Sequence, residues 1–169
     1  YQDLSRDLLG LPSIAHRSDP LPGLDVIIGT GWGVTTKDSK GQGQNFIPGN
    51  RYLADEDKLR CSIENGGKYV VAERTPEKSG RQVLLEGAHK AIDGNHRLLG
   101  YFGTKFGHLP FQTANSDYAP TRDMKETEKY TESDIKENPV LGDMADAAIE
   151  VLSRNPKGFW LMIEAGDVD

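Results

Sequence analysis

The chain has 169 residues, of which 36% are hydrophobic and 27% are charged, and its formal net charge is −6. This length is enough for one ordinary domain with a sizeable core. The chain is acidic and has no stripe of basic residues. This argues against nucleic acid as a partner, because lysine and arginine side chains are needed to neutralise the phosphates of a nucleic acid. No run of about 18 apolar residues occurs, so the sequence contains no candidate membrane span.

The first predicted elements are a short helix and a strand. Leu4, Leu8 and Leu9 recur at helical spacing, and Gly10 predicts the end of that helix. Residues 25–29 form an apolar run bounded by glycine, which predicts a buried strand.

Glycines at 29, 31 and 33 follow that strand directly. A dinucleotide-binding turn needs G-x-G-x-x-G at the start of an amphipathic helix, whereas this spacing is G-x-G-x-G and the next residues are polar. A tight turn is therefore the favoured interpretation, and a nucleotide-binding module stays open as a minor alternative.

A second helix and strand follow. Residues 54–65 predict a helix with Leu59, Cys61 and Ile63 facing inward, and residues 69–72 predict a short strand. Cys61 is the only cysteine, so it cannot form an internal disulfide and does not decide the compartment. We interpret it as a small core residue, since no histidine lies near it in a nucleophile motif.

The middle of the chain alternates in the same way. Residues 81–92 predict a helix and residues 98–102 predict another buried strand. This alternation favours an α/β fold, with a largely parallel sheet between two helical layers in a three-layer α/β/α arrangement. Residues 113–136 are strongly polar and predict a solvated surface excursion.

The four histidines, at 16, 89, 96 and 108, show no paired spacing typical of a metal site. We expect His89 and His96 to be surface or hydrogen-bonded groups. His108 follows a predicted strand and is the best placed of the four for a site.

The end of the chain carries the most informative pattern. Residues 138–155 predict an amphipathic helix, with Asn138 as its N-cap, and the apolar residues 159–163 predict a buried strand. Glu164, Asp167 and Asp169 follow with no lysine or arginine among them. Three such acids would repel one another unless a cation neutralised them, although a polar turn explains the spacing equally well.

Residues 138–169, NPVLGDMADAAIEVLSRNPKGFWLMIEAGDVD, closely resemble the alkaline phosphatase family, and specifically its secreted bacterial members. Two further stretches resemble the same family: LDVIIGTG at 24–31, and HRLLGYFG with GHLPF at 96–103 and 107–111. The resemblance implies that Glu164 is a magnesium ligand and Asp169 a zinc ligand. Asp167 matches no ligand of the family.

The resemblance implies a metal-dependent phosphomonoesterase that uses two zinc ions, one magnesium ion and a phosphoserine intermediate. The family's serine nucleophile lies upstream of the region that matches this chain, and its remaining zinc ligands lie downstream. We therefore expect residues 1–169 to be a single segment of the catalytic domain that is inactive alone.

The implied partners are a phosphate monoester substrate and the remainder of the enzyme chain, and the resemblance leaves a homodimer open. The implied location is periplasmic or extracellular. The alternative function is a non-catalytic α/β binding or interaction domain, since a fold alone does not imply an activity.

Overall fold

The computed structural model describes residues 1–29, 35–38, 42, 44–102, 121–122, 126–127 and 132–165. Five helices are assigned in these ranges: α1 Gln2–Leu9, α2 Asp55–Cys61, α3 Gly80–Gly94, α4 Glu132–Glu137 and α5 Leu141–Leu152. The strands are β1 Val26–Gly29, β2 Thr35–Thr36, β3 Gly49–Asn50, β4 Tyr69–Glu73, β5 Arg97–Tyr101, β6 Thr121–Arg122 and β7 Glu126–Thr127. The two short pairs, β2 with β3 and β6 with β7, are antiparallel.

The centre of the fold is a three-stranded sheet in the order β1-β5-β4. Both pairings are parallel, with Val26 opposite Leu98 and Val70 opposite the same Leu98. The crossover from β4 to β5 runs through α3. This arrangement confirms the predicted α/β fold with a parallel sheet.

Side chains of the sheet alternate between two cores, as a pleated strand requires. One core lies between the sheet and the helices α3 and α5, and its buried members include Val70, Leu84, Leu98, Ala147 and Val151. The other core lies on the opposite face, where the ends of α1 and α2 cover the sheet; it consists of Leu9, Leu53, Cys61, Tyr69, Leu99 and Tyr101. The sheet is therefore covered on both faces.

The β1 strand is present where it was predicted, but its burial is only partial. All four of its residues have intermediate exposure. Within the described residues, β1 pairs only with β5, so it lies at an edge of the sheet. An edge position leaves part of each apolar side chain in solvent, and the expectation of a buried strand was wrong in this respect.

Helix α1 ends at Gly10 as predicted, and Gly10 has the left-handed conformation typical of a helix end. Its buried face, however, is polar, because Gln2 is fully buried whereas Leu4 is 65% exposed. The Gln2 side-chain amide donates to the carbonyls of Ile47 and Asn50, at 2.8 Å each. Buried backbone groups need partners, and here a helix side chain supplies them.

A buried ion pair joins α1 to α2. Arg6 Nε donates to Asp57 Oδ2 over 2.7 Å, and both side chains are about 95% buried. Arg6 Nη1 is also 3.5 Å from Asp3 Oδ1. Such a pair contributes little net stability, but removing one partner leaves a buried charge without compensation.

The predicted helix over residues 54–65 is divided in two. Helix α2 stops at Cys61, Ser62 is extended, and a short 3₁₀ turn follows at Ile63–Asn65. The Ser62 hydroxyl accepts the Glu64 N–H, so a polar side chain replaces the helical hydrogen-bond pattern at the break. Cys61 is buried as predicted, whereas Leu59 is 57% exposed and the prediction for it was wrong.

The last helix starts later than predicted. Helix α5 begins at Leu141, and its start is stabilised by the Val140 N–H, which donates to Asp143 Oδ2 over 3.2 Å. Asn138 is not the N-cap; it is buried in the junction that follows α4. Helix α4 lies at the end of the polar stretch that was interpreted as a solvated excursion. It was not predicted, because the charged residues there do not form the apolar stripe by which an amphipathic helix is recognised.

The predicted strand at residues 159–163 is not formed. Residues 158–165 have no regular secondary structure, and Trp160 is 79% and Met162 69% exposed. A run of apolar residues indicates a preference for burial, but it does not supply the neighbouring strand that burial requires. Within the described part of the chain, no strand pairs with this segment.

We predict different effects on the free energy of unfolding for two glycine-to-alanine substitutions in helices. A Cβ at Gly87 would lie 2.7 Å from the Cβ of Ala72, whereas a Cβ at Gly142 would meet nothing within 4 Å. Gly87→Ala should lower the free energy of unfolding by about 1–2 kcal/mol, because overpacking outweighs the gain in helix propensity. Gly142→Ala should leave it unchanged or raise it by up to about 1 kcal/mol. Urea denaturation measures both values, and equal effects would contradict the close packing of α3 on β4.

Candidate functional site

The candidate site is the edge of the sheet where the parallel strands end. Gly29 ends β1, Glu73 ends β4, and both lie opposite Tyr101 at the end of β5. In open α/β sheets, ligands bind in the crevice beyond this carboxyl edge. Charged side chains gathered there are therefore the first candidates for function.

One charged group at this edge centres on Lys58. Its Nζ donates to Glu73 Oε2 over 2.6 Å and lies 5.2 Å from the centre of the Tyr101 ring. Burial raises the pKa of Tyr101 well above its usual value, and the nearby Asp55 and Glu73 carboxylates raise it further. The phenol is therefore protonated at neutral pH, and Lys58 is the cation of the group.

A second group of charged side chains connects the junction between α4 and α5 to the same edge of the sheet. Arg74 follows β4, and its Nε donates to Glu137 Oε2 over 2.9 Å. The other oxygen of the Glu137 carboxylate accepts the Glu77 N–H over 2.6 Å. Nearby, Arg81 Nε donates to Asp143 Oδ1 over 3.0 Å, which joins the first turns of α3 and α5.

These two charged groups were not predicted from the sequence. The available signal was the charged pair Glu73 and Arg74, which directly follows the apolar part of β4. Charged residues in that position lie at the carboxyl edge of a parallel sheet. Their partners, Lys58 and Glu137, are 15 and 63 residues away in sequence, so spacing alone does not indicate the contacts.

Glu164, the expected magnesium ligand, lies in the segment without regular structure, and its side chain is exposed. It makes no hydrogen bond or ion pair with another described residue. Asp169, the expected zinc ligand, and Asp167 lie outside the described residues. The structure therefore neither brings Glu164 and Asp169 together nor separates them, and their pairing stays a prediction.

The described ranges contain no group of three His, Cys, Asp or Glu side chains close enough to hold a metal ion. The model of the alkaline phosphatase family matches residues 25–169. The chain belongs to the alkaline phosphatase family. The match includes both Glu164 and Asp169, as well as all three strands of the parallel sheet.

Two relatives with curated names agree with the family. A membrane-bound alkaline phosphatase of Bombyx mori is 45% identical over 133 residues, covering 75% of this chain and 20% of the relative. A tissue-nonspecific alkaline phosphatase isozyme of Felis catus is 50% identical over 32 residues, covering 19% of this chain and 6% of the relative. The chain thus spans about a fifth of the length of the silkworm relative. No solved structure matches it significantly.

None of the described helices is both long enough and apolar enough to cross a membrane.

The described histidines of this alkaline phosphatase family member lie away from the carboxyl edge. His16 Nδ1 is 3.0 Å from Asp7 Oδ1, and His89 Nε2 is 3.5 Å from Glu150 Oε2. His96 lies with His89 in an open groove of about 590 Å³ at the end of α3. The interpretation of His89 and His96 as surface or hydrogen-bonded groups is confirmed, while His108 lies outside the described residues.

Cys61 is a core residue, as predicted. It is 3% exposed, and its thiol donates to the Lys58 carbonyl over 3.2 Å. Burial raises the pKa of the Cys61 thiol to about 11. The thiolate is the nucleophilic form, so a thiol with this pKa is unreactive at neutral pH.

We predict that native Cys61 resists modification by a thiol reagent such as DTNB at pH 8. The pKa of about 11 keeps nearly all of the thiol protonated at that pH, and burial limits access. In 6 M guanidinium chloride, used as a control, the pKa returns toward about 8.5 and the thiol should react stoichiometrically within minutes. Equally fast reaction in buffer without denaturant would contradict the buried position of Cys61.

Proposed function

We propose that this chain is part of an alkaline phosphatase that hydrolyses phosphate monoesters. The observation that carries the proposal is the family match over residues 25–169, which extends through both expected ligand positions. The curated names of the silkworm and cat relatives support the same activity. The parallel sheet adds a carboxyl edge of the kind that binds ligands in α/β proteins.

In this proposal Glu164 supplies an oxygen ligand to Mg²⁺, and Asp169 supplies one to Zn²⁺. Carboxylate oxygens suit both ions. The exposed Glu164 side chain, which has no described protein partner, fits a role as a metal ligand better than a carboxylate already held in an ion pair. The bound cations would polarise phosphoryl oxygens and stabilise negative charge during phosphoryl transfer.

The proposed site is incomplete within the residues that the structure describes. Catalytic zinc usually has three protein ligands, and the described residues contain no group of three metal-binding side chains. We propose that the remainder of the enzyme chain supplies the other ligands and the serine nucleophile. We also propose a periplasmic or extracellular location, which rests on the family resemblance alone.

The proposed magnesium ligand is tested by Glu164→Gln in the full-length enzyme. Glutamine keeps the shape of the side chain but removes its charge, so magnesium should bind more weakly. Hydrolysis of p-nitrophenyl phosphate should fall by about 10- to 100-fold or more, on the scale observed for residues that support a metal. Metal content by elemental analysis and the thermal unfolding midpoint should be measured on the same samples.

The matched control is Glu56→Gln, which makes the same change at an exposed glutamate in the first turn of α2. This control should retain the activity and metal content of the unmodified enzyme. Full activity and unchanged magnesium content in Glu164→Gln would show that Glu164 is not a ligand. Asp169→Asn tests the zinc position by the same measurements.

A second prediction concerns the 169-residue chain by itself. Purified in buffer with zinc and magnesium, it should release no p-nitrophenol above the rate of a metal-only blank, because it offers two carboxylates rather than a complete ligand set. Metal-dependent turnover that disappears on Asp169→Asn would overturn the proposal that other polypeptide completes the site.

A further inference from the structure

The turn that connects α2 to β4 contains an asparagine followed by a glycine. Asn65 is the last residue of the short 3₁₀ turn at Ile63–Asn65, and Gly66 follows it with a left-handed φ of 81°. Both residues are exposed to solvent. Among the residues that the structure describes, none forms a hydrogen bond with the side-chain amide of Asn65. This amide is therefore available for reaction.

An asparagine in this position can react with its own backbone. The nitrogen of the next residue, once deprotonated, attacks the side-chain carbonyl carbon; a C–N bond forms, ammonia leaves, and a cyclic succinimide results. Water then adds to one of the two succinimide carbonyls and breaks its C–N bond, which yields aspartate or isoaspartate. Water is the only co-reactant, and no electrons are exchanged. Glycine as the next residue favours the attack, because it has no Cβ beside the nitrogen.

The surroundings of this turn permit the reaction. A Cβ built at Gly66 would meet nothing within 4 Å, so no neighbouring group blocks the ring closure. One hydrogen bond opposes it, since the Gly66 N–H donates to the Ile63 carbonyl over 3.1 Å. Hydrogen bonds of short surface turns open at a small cost in free energy. Asn65 therefore reaches the reactive conformation without unfolding of the sheet.

The two products have different effects on the backbone. Aspartate adds a negative charge at an exposed position and keeps the backbone length. Isoaspartate carries the main chain through its side chain, which adds one methylene group between residues 65 and 66. The next residue, Gly67, donates its N–H to the Ser62 carbonyl over 2.8 Å and lies so close to the Cys61 carbonyl that a Cβ would overlap it. The turn has no room for a longer backbone.

This turn also holds Cys61 in the core. Ser62, which follows Cys61, forms a parallel bridge with Tyr69 at the start of β4. Cys61 itself is 3% exposed and packs in the same core as Tyr69 and Leu99. A longer backbone between Asn65 and Gly66 would displace the hydrogen bond from Gly67 to Ser62, and with it the end of α2.

We propose that Asn65 is a site of spontaneous deamidation, and that its isoaspartate product loosens the connection between α2 and β4 and exposes Cys61. The modification would act as a slow, irreversible change in the protein as it ages. This inference does not rest on the proposed phosphatase activity.

A single tryptic peptide tests both parts of the proposal. Cleavage after Arg60 and after Lys68 releases residues 61–68, CSIENGGK, which contain both Cys61 and Asn65. The full-length enzyme is incubated in mildly alkaline buffer, treated with iodoacetamide while folded, and then unfolded and digested. Mass spectrometry detects the replacement of NH₂ by OH, and chromatography separates isoaspartate from aspartate.

The deamidated fraction of this peptide should rise with the time of incubation. Asn95 is the internal control, because it is also exposed but is followed by His96, whose side chain hinders the attack. The peptide that contains Asn95, residues 91–97, should therefore stay unmodified. Molecules with isoaspartate should react with iodoacetamide at Cys61 about 10-fold faster than unmodified molecules, on the scale of one lost backbone hydrogen bond.

Two substitutions separate the effect of charge from the effect of backbone length. Asn65→Gln should show neither deamidation nor increased labelling of Cys61, because the longer side chain closes the ring far more slowly. Freshly purified Asn65→Asp carries the new charge without the extra methylene group. Its Cys61 should be labelled as slowly as in the unmodified enzyme.

Three results would overturn the proposal. The first is an unmodified Asn65 in the folded enzyme under conditions in which a synthetic peptide of residues 61–68 deamidates, which would mean that the turn protects it. The second is equal labelling of Cys61 in isoaspartate and unmodified molecules. The third is fast labelling in Asn65→Asp, which would assign the loosening to charge. Phosphatase activity is tested separately, by Glu164→Gln.

Discussion

The close approach of α3 to the sheet is the contact on which the rest of the fold depends. It requires a residue without a side chain at Gly87 of α3, where a Cβ would lie 2.7 Å from Ala72. It is also close at Gly100 of β5, where a Cβ would lie 3.2 Å from Leu84 of α3 and 2.9 Å from Ile28 of β1. With these two glycines, Leu84 and Leu98 become fully buried between helix and strands. The central strand then holds β1 and β4 in register, and their carboxyl ends meet at one edge.

The elements that sequence analysis predicted well are those specified by local pattern. Helix α3 and strands β4 and β5 carry clear apolar periods and end at residues that favour termination, and all three appear within a few residues of the predicted bounds. The errors in α1 and at residues 159–163 arose where a distant partner decides the outcome. Gln2 and Arg6 are buried because polar groups from later in the chain meet them, and the segment at 159–163 is exposed because no described strand lies beside it.

The candidate site also combines features that the sequence could predict with features that it could not. The paired charges at the carboxyl edge, Lys58 with Glu73 and Arg74 with Glu137, are contacts between separate elements, and no sequence spacing predicts them. The metal-ligand roles of Glu164 and Asp169 came from the resemblance to a family. The family match supports the membership on which those roles depend, but the roles themselves require measurement on the protein.

The carboxylate of Glu137 joins the end of α4 to the polypeptide that follows β4. One of its oxygens accepts a hydrogen bond from Arg74 and the other accepts the Glu77 N–H. A single acidic side chain thus connects two parts of the chain that lie about 60 residues apart in sequence. The start of α5 follows directly after this junction. A displacement of the end of β4 would therefore also move the first turn of α5, and the helical layer and the carboxyl edge of the sheet would shift together.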